Sequence, residues 1–77
     1  MSHAGVYRAV VVGMTDPQAE GRLQVQIPSL GGRTLWAECC VPARRGGGGS
    51  RGGIGTTVWV AFENGDASRP VVLGMKP

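Results

Sequence analysis

Seventy-seven residues allow one domain, and a domain of that size buries only ~60 to 65% of the surface its unfolded chain exposes, so its core is thin. No apolar run approaches the ~20 residues of a membrane-spanning helix, and the first residues, "MSHAGVYRA", lack a charged segment followed by a long apolar one, so stable membrane insertion and general secretion are not expected. The formal net charge is +3, but seven of the eight basic residues are arginine, which keeps a nucleic-acid partner in view.

Residues 6 to 14, "VYRAVVVGM", form a mostly apolar, β-branched run that predicts a strand buried on both faces over its centre. Gly13 marks a bend or bulge. "TDPQAEG" follows as a turn, in which Asp16 can accept from nearby backbone amides and Pro17 fixes φ. In "GRLQVQIP", Leu23, Val25 and Ile27 share one face while Arg22, Gln24 and Gln26 share the other, the pattern of a half-buried strand that Pro28 ends.

After "SLGGR" the stretch "TLWAECCV" alternates Leu35, Ala37 and Cys39 against Trp36, Glu38 and Cys40, a third strand. Residues 42 to 55, "PARRGGGGSRGGIG", hold half of the 14 glycines. Each costs ~1 kcal/mol relative to alanine in a helix, so a mobile loop is expected over 43–54. "TTVWVAFE" then points Val58, Val60 and Phe62 inward and Trp59 outward, and "PVVLGMK" supplies a fifth strand that begins at Pro70, where a missing N–H is tolerated. Between them "NGDASR" is a turn: Asn64 and Gly65 accept positive φ, and the Asp66 carboxylate can take amides two or three residues on.

Five strands with no helical period predict an all-β fold, a small five-stranded antiparallel Greek-key barrel of the oligonucleotide/oligosaccharide-binding (OB) type, with a long Gly-rich loop between strands three and four. The whole of 1–77 is read as a single domain. The apolar run Val71, Val72, Leu73 suits a barrel-closing strand covered on both sides.

The chemical inventory is poor. Cys39 and Cys40 are adjacent, so on a strand they point to opposite faces and do not bridge; both are expected to be small packing residues. The one histidine, His3, lies in what should be a frayed terminus, and no four-ligand metal set exists. No catalytic residues, metal or cofactor are expected, and the chain reads as a binding or structural module and not an enzyme. The loop arginines Arg44, Arg45 and Arg51 resemble an RGG-type segment, yet the bland reading is a flexible loop that orders against a neighbour. Trp36 and Trp59, outside their strands' inward sets, are either stacking platforms for bases or anchors between subunits.

From Asp16 onward the chain resembles the barrel domain of contractile-tail spike and hub proteins: phage baseplate assembly protein V, the T-even cell-puncturing protein and the valine-glycine repeat protein G of type VI secretion. The residues that carry the resemblance are Asp16-Pro17, Gly21 to Val25, Pro28, Trp36-Ala37, Pro42 and above all "VWVAFENGDASRPVVLG" from Val58 to Gly74. Two features depart from the family: Gly55 is followed by Thr56 where an aspartate is common, and the sequence ends at Pro77 where spikes usually continue into a triple-stranded β-helix, so the expectation is a barrel without a needle.

The resemblance implies a homotrimeric ring on the tail axis at the hub or spike base, in a virion baseplate or injection particle assembled in the bacterial cytoplasm. Tail hub, tube and spike-tip proteins would be its partners, and no specific nucleic acid is expected. Asn64, Gly65 and Asp66 would shape a structural turn; Trp36, Trp59, Val71, Val72 and Leu73 are the candidate subunit interface, and Arg44, Arg45 and Arg51 the candidate loop contacts. The other reading is a stand-alone barrel that binds single-stranded nucleic acid.

Overall fold

A computed structural model describes residues 3–16, 21–40 and 53–77. Five strands appear in the expected order: β1 Tyr7–Gly13, β2 Leu23–Gln26, β3 Thr34–Cys39, β4 Thr57–Phe62 and β5 Pro70–Met75. Short 3-10 turns, Pro28–Leu30 and Glu63–Gly65, follow β2 and β4. The expected loop over 43–54 lies outside the described residues apart from Gly53 and Ile54. Those two sit in an ordered turn, in which Thr56 N–H donates to the Gly53 carbonyl at 3.1 Å and Gly55 N–H to the Val11 carbonyl at 2.8 Å.

The strands close into a barrel in the order β1-β2-β3-β5-β4, with β4 back against β1. The expectation of a wholly antiparallel barrel needs correcting. Strands β3 and β5 run parallel, with Glu38 opposite Val71 and Cys39 opposite Val72. The reason is parity: a closed ring with an odd number of strands cannot alternate direction all the way round, so one neighbouring pair must share a direction. The pair that does so is joined through β4, which gives the chain the length to return.

The core is the set the period-two pattern selects. Leu23, Val25 and Ile27 from β2 and the residue after it, Val58, Val60 and Phe62 from β4, Ala37 from β3, Ala9 and Val11 from β1, and Val72 from β5 are buried together. Leu35 and Cys39 pack partly against them. At ~1.5 to 3 kcal/mol for each fully buried large aliphatic side chain, these contacts are the chain's chief source of stability.

Two strands were expected to be buried on both faces, and neither is within this chain. In β1, Ala9 and Val11 are in the core while Val10 and Val12 are only half-buried. In β5, Val72 is buried, Val71 half-buried and Leu73 48% exposed. Alternation accounts for this in β5: adjacent side chains point to opposite faces, so Val71 and Leu73 turn outward on either side of Val72, and a register shift between Trp59 and Val60 leaves Leu73 with no partner opposite it on β4. Gly13 also ends a bulge, where the β1–β2 register shifts between Val11 and Gly13. A methyl group there would collide with the Gln24 side chain.

The N-terminal segment is not frayed at His3. Its backbone N–H donates to the Gly65 carbonyl at 2.9 Å, and its ring packs 5.2 Å from Phe62 and 6.3 Å from Tyr7. Tyr7 and Phe62 meet edge-on at 5.3 Å, so the segment is strapped across one end of the barrel by an aromatic cluster. Cys40 is exposed and only Cys39 packs on the core, because β3 ends at Cys39; neither is in a disulfide.

Candidate functional site

Local chemistry builds the turn between β4 and β5 first. Asn64 has φ 54 and Gly65 φ 72, the left-handed conformations for which these residue types are suited. Asp66 Oδ1 accepts from the Ser68 amide at 2.9 Å and from the Ser68 hydroxyl at 2.7 Å. The hairpin is closed by Glu63 N–H donating to the Arg69 carbonyl at 3.0 Å. The Ser68 hydroxyl and then its amide hold the Asp66 carboxyl below its ordinary 3.8; slight burial opposes them and Arg69 assists.

The turn before β2 is organised by an ion pair that sequence reasoning did not identify. Arg22 grips Asp16 through two parallel guanidinium bonds, Nε to Oδ2 and Nη2 to Oδ1, both at 3.0 Å, and adds its backbone N–H at 3.3 Å. The Asp16 side chain is only 3% exposed, so this is a bidentate, charge-assisted contact largely out of water. The same guanidinium lies 5.2 Å from the centre of the Trp36 ring on β3. The available signal was two opposite charges flanking one turn, with a tryptophan on the outward face of the next strand.

These pieces meet. A surface recess of about 240 Å³ is lined by Arg22, Trp36, Glu38, Glu63, Ser68, Arg69 and Pro70. It lies on the outer side of β2 and β3 where the β4–β5 turn comes up to them. Arg69 reaches Asp66 at 3.6 Å and Glu63 at 3.9 Å. Glu38 is exposed and has no ion-pair partner among the described residues. A second recess of about 200 Å³, lined by His3, Ile27, Leu30, Arg33, Leu35, Phe62 and Ala67, is apolar and lies under the N-terminal strap.

Of the candidate interface residues, Trp36 lines the polar recess, and Trp59 is half-buried on β4 with the Arg8 guanidinium 5.3 Å from its ring. β5 separates the two tryptophans on one side and β1 and β2 on the other, so they do not share a face. Val72 faces the chain's own core and is corrected as an interface residue, since its side chain is already buried there. Val71 and Leu73 keep accessible surface. Arg44, Arg45 and Arg51 lie outside the described residues.

The model of a family described as the type VI secretion system/phage-baseplate injector OB domain matches residues 7–76. The chain belongs to this family. As an injector OB domain it is a component of a baseplate or injection apparatus, and its five-stranded closed barrel with one parallel pair is the architecture described above. No curated protein matches the chain. The injector OB-domain match runs from the first residue of β1 to one residue past β5, so the Asp16–Arg22 clamp, the β4–β5 turn and the polar recess all fall inside it.

Proposed function

We propose that the protein is a structural, non-catalytic subunit of a contractile phage tail or related injection apparatus and forms a trimeric ring at the hub or spike base on the tail axis. The observation that carries this reading is the family match over residues 7–76, which takes in every strand of the barrel. Physical considerations support it. The core cluster of ten buried hydrophobic side chains among the described residues is small, and domains of this size gain a comfortable stability margin from partner subunits. Val6, Ile54, Leu73 and Met75 remain between 43% and 70% exposed, leaving apolar area for neighbours to cover.

The nucleic-acid reading draws little support from the site. Four carboxylates, Asp16, Glu38, Glu63 and Asp66, stand in or behind the recess beside Trp36, and they repel a phosphodiester backbone. Native mass spectrometry of the purified protein, alone and with its hub, together with electron microscopy of assembled particles, tests the proposal. A trimer and density on the particle axis are expected, and absence of the protein from purified particles overturns it. Titration with single-stranded oligonucleotides at physiological ionic strength tests the other reading, with weak, salt-sensitive binding expected; tight binding lost in Trp36→Ala would revive it.

A further inference from the structure

Charge is distributed unevenly over this chain. It has five acidic residues, and all but Glu20 stand in the polar recess or directly behind it, where Asp16, Glu38, Glu63 and Asp66 outnumber Arg22 and Arg69. Among the described residues, the rest of the barrel carries Arg8, Arg33 and Lys76 and no acidic side chain. Among the described residues, one side of the barrel is therefore acidic and the remainder basic.

The recess also has the parts that receive a guanidinium. Glu38 is exposed and has no ion-pair partner among the described residues, and Trp36 forms the adjoining wall. A carboxylate beside an aromatic ring favours a planar cation, and arginine is the side chain suited to both contacts. The volume of about 240 Å³ lies below the ~300 to 1,000 Å³ of sites for drug-sized ligands, in keeping with one inserted side chain.

We infer that the polar recess is the receiving half of a head-to-tail contact between copies of this chain, taking an arginine of the neighbouring subunit against Glu38 and Trp36. A closed three-fold ring is built from such heterologous contacts, in which two different patches meet. An acidic recess on an otherwise basic molecule supplies two patches of opposite sign. Isologous pairing of two recesses is disfavoured by the same charges. The inference rests on the trimeric-ring reading and specifies which surface the ring uses.

The test measures oligomeric state for the full chain and for Glu38→Gln and Glu38→Lys, by sedimentation and native mass spectrometry at low and high salt. Because Glu38 is exposed, the variants should fold, which amide exchange of the barrel strands verifies. The wild type is expected to form trimers that weaken with salt. Glu38→Gln should raise the concentration needed for assembly about tenfold and Glu38→Lys more, as losing and then reversing one interfacial charge does. Acetyl-arginine-amide should compete with assembly and shift the Trp36 indole resonance in the wild type but not in Glu38→Lys. A wild-type trimer that Glu38→Lys leaves intact overturns the inference while the ring reading stands. A wild type that is monomeric both in solution and on its hub removes the ring reading, and this inference with it.

Discussion

At the scale of single residues, two carboxylates set the two turns that frame the recess. Asp16 is buried against Arg22, so Asp16→Ala removes the bidentate contact that holds the guanidinium against Trp36. The expected cost is about 3 kcal/mol, read from denaturant unfolding, with Asp16→Asn losing less. Asp66 acts through hydrogen bonds from Ser68 that favour its ionised form. A depressed carboxylate contributes stability that is present above its unfolded value and is lost as pH falls through the folded one, so the turn should loosen below about pH 4. In Ser68→Ala the Asp66 titration, followed by carboxyl carbon shifts, should move upward; an unchanged midpoint would show that the Ser68 bonds do not set it.

At the scale of elements, alternation along β5 separates neighbours that look equivalent in the sequence. Val72→Asp places an unpaired carboxylate in the core and should cost several kcal/mol, enough to unfold a small domain. Leu73→Asp, one residue on and outward, should cost under about 1 kcal/mol in the isolated chain. Comparing the two by thermal melts at low protein concentration tests this inward and outward assignment, and equal losses of stability would overturn it. Strands β2, β3 and β4 were legible from alternation because each shows one face to the core and one outward. The apolar runs of β1 and β5 were not, because a run of β-branched residues records strand propensity as well as burial and does not say what covers its second face.

The recess was illegible for a different reason: Arg22, Trp36 and Arg69 come from three segments that only barrel closure brings together. The β4–β5 turn was readable residue by residue because its geometry is local. His3 was misread because the cluster that holds it, Phe62 and Tyr7, is assembled by the β1–β4 pairing. The antiparallel expectation fails on topology alone, since local sequence patterns mark five strands but do not say which pair must run parallel when an odd-stranded ring closes.

At the scale of the whole molecule, the trimeric ring proposed above would tie the stability of a thin core to assembly. If copies bind one another only when folded, the melting temperature should rise with protein concentration and fall with salt, which differential scanning calorimetry over a dilution series measures. A melting temperature independent of both would show that the barrel gains nothing from its neighbours. The direction of the strands has a mechanical consequence. β1 and β5 both run from the end of the barrel that holds the strap to the opposite end, and each is bonded antiparallel to β4 between them. Tension applied between Tyr7 and Met75 would therefore slide these strands lengthwise past β4, loading the ladder hydrogen bonds, which lie across the strands, all together instead of peeling them one at a time. A barrel threaded in this way carries axial load as a rivet does, in shear.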